Sequence, residues 1–507
     1  MDQVQEMKRV MKILLVYPEY PETFWSFRFA LKFISKKAVN PPLGLITIAS
    51  MLPVEWEKRL IDINVDALRD EDLEWADMVC ISAMAVQKRS ALEVINRCKS
   101  LGRKIAAGGP LFTSDPDDFH DVDYLILNEA EVTLPPFLHD LENGNPRHLY
   151  TSIELADLSI SPIPAWELIN SKDYVSMNIQ LSRGCPYDCE FCNITSLFGR
   201  APRSKGKEQI IAELDRIYEM GWRGSVFFVD DNFIGDKVKV RKNILPAIIE
   251  WMEKRKHPFV FNSQVPVNLA DDVELMSLMT RAGFTSVFVG IESPNEASLV
   301  ECNKTPNKNR DMMASVRMIQ HAGLEVQAGF IVGFDNDTAP VFDRLIQFIQ
   351  GSGIVTAMVG LLNASQGTRL YDRLMSEGRL SSISTGDNTD STLNFVPTMQ
   401  PETLMEGYRR IVEHIYSPNA YYRRVKKFLK EYRPANRHTW RIRFSDIMHL
   451  CKATVRLGVI ERERTYYWRL LFWSLFNRPR LLPMAVTFTA YGFHFRKSFE
   501  QRETSSM

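Results

Sequence analysis

Three cysteines fall within eight positions, in Gly184-Cys185-Pro-Tyr-Asp-Cys189-Glu-Phe-Cys192. Soft thiolates gathered on one loop select zinc or an iron–sulfur cluster. Three of them can hold three irons of a four-iron cluster and leave the fourth iron open to a ligand. Structural zinc is the alternative, but zinc closes its site with four ligands. The nearest histidines in sequence, His148 and His257, are remote. The chain has seven cysteines in 507 residues, too scattered for a disulfide framework and suited to a reducing cytosol. Cys302 and Cys451 read as buried small residues.

Other groups with chemical potential end strand-like runs. Phe227-Phe-Val-Asp230-Asp231-Asn232 offers two adjacent carboxylates, although Asp231 or Asn232 would also serve as a helix cap. Gly290-Ile-Glu292-Ser293 and Gln327-Ala-Gly329-Phe-Ile-Val-Gly333 pair glycines with polar groups, and the glycines read equally as turn residues. Asn262-Ser-Gln264 and the loop Asn363-Ala-Ser-Gln-Gly-Thr368 are polar without being acidic.

These groups need a scaffold, and hydrophobic periodicity supplies one. Apolar runs at Lys12–Tyr17, Ala76–Ser82, Lys104–Ala107 and Tyr124–Leu127 alternate with helical patterns such as Ser90–Ser100. That alternation predicts an α/β, doubly wound, Rossmann-like domain over residues 1–150. A linker over 151–175 carries Ser159-Ile-Ser-Pro-Ile-Pro164. Six further strand-like runs follow at Val175–Leu181, Ser225–Val229, Phe259–Asn262, Ser286–Ile291, Val326–Val332 and Val355–Leu361. Helical patterns separate them, at Lys207–Met220, Val240–Lys254, Asp272–Ala282, Asp311–Ala322 and Ala339–Gly351. Six strand–helix repeats predict a partial (β/α)6 barrel over 176–375, with chemistry at the carboxyl ends of its strands. From 376 to 507 the strand signal fades into a mainly helical region, with helices at Pro401–Tyr416 and Asn419–Tyr432.

Three cysteines with this spacing, after the first strand of a six-unit barrel, resemble the radical S-adenosylmethionine superfamily. The resemblance makes Cys185, Cys189 and Cys192 ligands of a 4Fe–4S cluster and S-adenosylmethionine the ligand of the open iron. It implies reductive cleavage to an adenosyl radical that abstracts hydrogen from an unactivated carbon. It also implies cofactor-binding roles for Asp230 and Asp231 near the amino group, and for Glu292 near the ribose or carboxylate. Asn262-Ser-Gln264 departs from the acidic pattern of relatives.

The first domain resembles cobalamin-binding domains that precede radical barrels. The matching pieces are Asn40-Pro-Pro-Leu-Gly-Leu45, Ser82-Ala-Met84, Gly108-Gly109-Pro110 and Asn128-Glu-Ala-Glu131. Small residues there, above all Gly108 and Gly109, would let a corrin approach the backbone. The motif Asp-x-His-x-x-Gly is absent, and so is Gly-x-Gly-x-x-Gly after Val16, which argues against a dinucleotide. Phe24 or Trp25 would cover the lower face of cobalt, or be core aromatics.

The whole arrangement, including Gly386-Asp-Asn-Thr-Asp390 and Asn394-Phe-Val-Pro397, looks most like the branch containing hopanoid methylases and bacteriochlorophyllide methylases. The resemblance implies a cobalamin-dependent methyltransferase acting on a large apolar substrate, with a reductant such as flavodoxin or ferredoxin. The alternatives are a radical enzyme that closes rings or oxidises without methylating, and a non-enzymatic cobalamin sensor.

Composition frames the rest. The chain is 45% hydrophobic and 24% charged, with 62 basic and 62 acidic residues, so nothing global points to nucleic acid. Its length suggests about three domains. Met1 to Val10 lacks the pattern of a signal peptide, and no apolar run reaches the ~18 residues of a spanning helix. Leu481 to Phe495 comes nearest, after a break at Arg478-Pro479-Arg480. A cytoplasmic protein is expected. The tail from Arg437, with Trp468, Arg469, Trp473, Arg478 and Arg480, suits either a membrane-surface helix or a packed helix with a solvated basic edge.

Overall fold

The computed structural model describes residues 10–387, 389–434 and 444–505. Met1 to Arg9, Asn388 and the start of the basic tail at Arg437 lie outside the described residues. The chain forms two compact units. The first runs to Pro21 and continues through Asn40–Ser171, with the short piece Asp215–Ile217. The second takes Glu22–Val39, Lys172–Leu214 and everything from Tyr218.

The first unit holds six parallel strands: β1 (Lys12–Tyr17), β2 (Glu57–Asp62), β3 (Met78–Ser82), β4 (Lys104–Gly108), β5 (Tyr124–Ile126) and β6 (Leu149–Tyr150). Their order is β2-β1-β3-β4-β5-β6. Side chains alternate across the sheet. Leu14, Val16, Val79 and Ile105 therefore meet the helix Lys88–Ser100 on one face. Ile13, Leu15, Met78 and Ala106 meet the helices Leu43–Met51 and Ala130–Glu142 on the other. Two cores on one sheet make the domain doubly wound. The order reverses between β1 and β3, and folds of this kind bind ligands outside the carboxyl ends of the strands at that point. Edge strands β2 and β6 carried no apolar signal: Glu57-Lys-Arg-Leu-Ile-Asp62 is charged, as befits an edge, and β6 has two residues.

The second unit is an open six-stranded parallel barrel. Its strands are β7 (Ser176–Ile179), β10 (Ser225–Phe228), β11 (Val260–Gln264), β12 (Phe284–Glu292), β13 (Glu325–Val332) and β14 (Ala357–Leu361), in the order β14-β13-β12-β11-β10-β7. A two-stranded antiparallel pair, β8 (Ser182–Arg183) and β9 (Arg203–Ser204), brackets the cysteine loop. Helices at Lys207–Glu219, Leu245–Lys254, Val273–Ala282, Met312–His321 and Pro340–Ser352 cover the outside. The helix expected over Val240–Lys254 is continuously helical from Lys237 but changes register before Leu245. Pro246 sits in the first turn of Leu245–Lys254, and a π-turn over Val240–Ile244 precedes it.

The C-terminal region is helical, with Pro401–Tyr416, Pro418–Glu431, Phe444–Val455, Arg464–Asn477 and Leu482–Ser505. A short turn at Pro479–Leu481 separates the last two. Cys302 is buried, but Cys451 is exposed, contrary to expectation. On that helix Ala453 and, one turn on, Leu457 face the core, and position 451 falls off their stripe. No described helix is long and apolar enough to cross a membrane.

Candidate functional site

The cysteine loop leaves the carboxyl end of β7 through β8 and is fixed at nearly every residue. Gly184 opens it with φ +91°, and a Cβ there would stand 3.0 Å from the carbonyls of Phe198, Gly199 and Ala201. Only glycine tolerates that turn against that wall. Tyr187 accepts a hydrogen bond from Asn268 at 2.9 Å, and Asn303 Nδ2 donates to the Asp188 carbonyl at 3.1 Å. Glu190 N–H donates to the Cys302 carbonyl at 2.9 Å, while its carboxylate receives Arg373 Nε at 2.7 Å. Arg373 also reaches Asp335 at 2.9 Å, and Asp335 in turn receives Arg379 at 2.6 Å. Burial would raise Asp335, but these guanidinium hydrogen bonds and Thr398 hold it well below the usual carboxylate range. The residues between the cysteines are therefore fasteners.

The three thiols share one environment. Cys189 feels Cys185, and Cys192 feels Cys189. Asn232 Nδ2 lies 3.8 Å from Cys185 Sγ. Burial raises the Cys189 thiol and pushes Cys192 up to about 12, so metal binding there displaces protons. No three His, Cys, Asp or Glu side chains among the described residues converge tightly enough for a single ion. A cluster has no such need, because each thiolate binds a different iron. The donor set fits a cluster and does not fit zinc.

The two adjacent carboxylates after β10 differ. Asp230 is fully buried, and its oxygens accept from Leu181 N at 3.1 Å, Ser182 N and Ser182 Oγ at 2.5 Å. Asp230 thus ties β10 to the entrance of the cysteine loop. Burial still lifts its carboxyl to about 6. Asp231 is half-buried, and burial followed by the charge of Asp230 pushes it up to about 7. It is the more exposed carboxyl of the pair.

Glu292 ends β12 at a register shift and adopts φ +63°, rare for a non-glycine residue. Its buried carboxylate meets the half-buried Lys304 Nζ at 2.6 Å. Burial alone would lower Lys304, but Glu292 and the neighbouring thiols outweigh it and hold the ammonium above its ordinary range. A Cβ on Gly290 would strike both partners, at 2.3 Å from Glu292 Oε1 and 2.8 Å from Lys304 Nζ. Lys304 escaped the sequence reading because it follows its partner by twelve residues, across a helix and a left-handed Asn303. Its only local hint was the preceding Gly290-Ile-Glu292.

Other expected residues take different places. Gly108 and Gly109 sit at the carboxyl end of β4, half-exposed. A Cβ on Gly108 would stand 2.5 Å from the Ile126 carbonyl, and Gly109 has φ +91° with Ser82 Oγ 2.6 Å from its Cβ position. With Ser82 and Ala83 they leave a floor of small residues beside the β1/β3 switch point, which fits a flat ligand approaching the backbone. Glu129 and Glu131 turn away to hold Ala156 N and Ser161 Oγ of the linker. Phe24 is a core aromatic stacked on Phe495, and Trp25 rests on the barrel strands at Phe288 and Met358. Asn363 and Ala364 are clasped by Thr392 and Asn394, and Thr368 caps the helix Arg369–Ser376.

An open barrel whose first strand leads into a loop of three neighbouring thiols, joined in one chain to a doubly wound domain, defines a radical S-adenosylmethionine enzyme with a cobalamin-type domain. Comparison with known proteins narrows this. Residues 34–138 match the B12 binding domain, 179–349 the radical SAM superfamily, and 368–506 a domain of unknown function, DUF4070. The chain is 40% identical to an uncharacterized methyltransferase of Synechocystis, covering 96% of this chain and 91% of that one. It is 34% identical to the hopanoid C-2 methylase of Rhodopseudomonas palustris, covering 91% and 88%. It is 23% identical to the bacteriochlorophyllide d C-12(1)-methyltransferase of Chlorobaculum tepidum, covering 83% and 91%. In fold it resembles the cobalamin-dependent radical enzyme OxsB (TM-score 0.63, 15% identity, 98% of this chain and 80% of that one). It also resembles the methyltransferase TsrM of Kitasatospora setae (TM-score 0.61, 12% identity, 98% and 100%). The chain belongs to the family of cobalamin-dependent radical S-adenosylmethionine methylases that includes hopanoid C-2 methylase. Its cofactors are a 4Fe–4S cluster, S-adenosylmethionine and cobalamin.

Proposed function

We propose that the chain methylates an unactivated carbon of a large apolar substrate, a hopanoid-type terpenoid or a bacteriochlorophyllide-type tetrapyrrole. The named relatives support the substrate class. The observation that carries the reading is the set of three thiols, Asp231 and the Glu292–Lys304 pair at the carboxyl ends of the barrel strands. When bound, the cluster and S-adenosylmethionine supply a hydrogen-abstracting radical, and cobalamin supplies a methyl group.

The residues take distinct parts. Cys185, Cys189 and Cys192 hold the cluster. Asp231 receives the amino group of S-adenosylmethionine, and Asp230 fixes the strand that places it. Glu292 accepts from the ribose hydroxyls, steadied by Lys304. Gly108 and Gly109 let the corrin lie against the backbone. A low-potential reductant such as flavodoxin or ferredoxin delivers the electron. The chain contacts membrane surfaces through the helix Arg464–Asn477, where Phe472, Leu475 and Phe476 are exposed together with Arg469.

The test incubates anaerobically reconstituted protein, reductant and methyl-deuterated S-adenosylmethionine with a hopanoid triterpene and, separately, a chlorin. A product carrying one labelled methyl group supports the reading. A product altered without gaining methyl makes the chain a ring-closing or oxidising radical enzyme and overturns it.

A further inference from the structure

The inside of the barrel is unevenly finished. Along β12, β13 and β14, alternate residues such as Val289, Val326, Ala328 and Phe330 are fully buried beneath the outer helices. The intervening ones point inward, and there Phe288, Gln327 and Met358 are only half-buried. Gly329 lies among them, its Cβ position 2.9 Å from Phe288 and 3.7 Å from Met358. Trp25 closes over this wall, with its ring 5.5 Å from Phe288, Nε1 3.0 Å from Met358 Sδ, and 38% of its surface exposed. Phe27, beside Trp25, leads on to Tyr491 at 4.9 Å. The wall is aromatic, apolar and partly uncovered.

Its floor is polar. Glu325 lies on the same strand face, two residues before Gln327 and in register with Ser286. It is 8% exposed, and its Oε1 has no hydrogen-bond partner among the described residues. Thr356 Oγ1, two residues before Met358, is likewise buried and unmatched. Burial pushes Glu325 up to about 7, opposed only by Gln327, with no lysine or arginine to offset it. Tyr491 and Tyr432 both feel its charge, but the Tyr432 hydroxyl is already given to the Gly323 carbonyl at 2.8 Å. A buried carboxyl oxygen left without a partner costs free energy unless a ligand supplies one.

We propose that Glu325, with Thr356 and Tyr491, forms the polar end of the substrate channel, and that the channel takes a rigid apolar ring system ending in a single hydroxyl. This rests on the methylase reading. Ile331 lies six residues on from Glu325, or roughly 20 Å of strand at ~3.3 Å per residue. The occupant is therefore long, its hydroxyl on the floor, its rings against Trp25, Phe288 and Met358, and its reacting carbon near the cysteine loop. Glu325 and Trp25 act as specificity residues.

The test uses reconstituted holoenzyme and two probes, a pentacyclic triterpene hydrocarbon and its monohydroxylated counterpart. Dissociation constants come from quenching of tryptophan fluorescence and products from mass spectrometry. Wild type should bind the hydroxylated probe about tenfold tighter. Glu325→Leu should bind both alike, Glu325→Gln should keep most of the preference, and Trp25→Ala should weaken both probes by a similar factor. Equal binding of the two probes by wild type, which needs no variant, overturns the channel. So does an unchanged preference in Glu325→Leu. A Glu325-dependent preference without any methylated product upholds the channel and removes the methylase reading. Equal methylation of both probes does the reverse.

Discussion

The two ends of the barrel treat buried charge in opposite ways. At the carboxyl end the acids that brace the cysteine loop are answered by cations: Glu292 has Lys304, Glu190 has Arg373, and Asp335 has two arginines. At the amino end Glu325 Oε1 and Thr356 Oγ1 are buried without partners among the described residues, and Glu325 has only Gln327 beside it. The answered end is preorganised for cofactors, since fixed groups need not reorganise when a charged ligand arrives. The unanswered end is the one assigned above to a ligand hydroxyl. Predictions that separate the two ends fall in order of size.

The largest effect belongs to the cluster. Replacing Cys185, Cys189 or Cys192 by alanine should reduce iron content and bring 5′-deoxyadenosine formation to background, measured by iron analysis and chromatography. Wild-type levels of both would remove the cluster from this loop.

Breaking the ion pair comes next. Lys304→Met should destabilise the barrel by about 3–5 kcal/mol because it strands Glu292 in a buried site. The double variant Glu292→Gln/Lys304→Met should recover most of that loss in a thermal melt, though not its affinity for S-adenosylmethionine. Equal melts for the single and double variants would deny the coupling.

The floor should carry a pH signature of its own, separable by substitution from those of Asp230 and Asp231 at the carboxyl end. Glu325 rises from an ordinary 4.5 to about 7 on folding. Between those pH values the folded chain keeps a proton that the unfolded chain has lost, so stability falls as pH rises and the cost is complete above the folded value. Glu325→Gln removes that slope. Its melting advantage over wild type should be absent in acid and grow to the equivalent of about 3 kcal/mol by roughly pH 8. A constant difference across that range would contradict the burial argument.

The smallest effect is on a fastener. Arg373→Met leaves the thiols in place but frees Glu190, while Asp335 keeps Arg379, and should cost about 2 kcal/mol and lower cluster retention during gel filtration. Unchanged retention would mean that the loop holds itself.

The same contrast explains what the sequence made legible. The cysteine loop stood out because its ligands lie within eight positions. The barrel strands stood out because they are apolar and regular, and the first sheet because it is buried on both faces. Lys304 and Glu325 did not, since each acquires meaning only from a neighbour on another strand or beyond a helix. Asp230 and Asp231 looked equivalent as adjacent carboxylates, and only the register of β7 against β10 decides which one is consumed by Leu181 and Ser182. Strand β2 was hidden by the lysine, arginine and acids that protect an edge.

The most direct measurement quantifies 5′-deoxyadenosine and S-adenosylhomocysteine together, from anaerobically reconstituted protein with cobalamin, S-adenosylmethionine, reductant and a hydroxylated triterpene. Cobalamin-dependent radical methylation predicts both products accumulating in step with a methylated triterpene. 5′-Deoxyadenosine and a converted substrate without S-adenosylhomocysteine would contradict it.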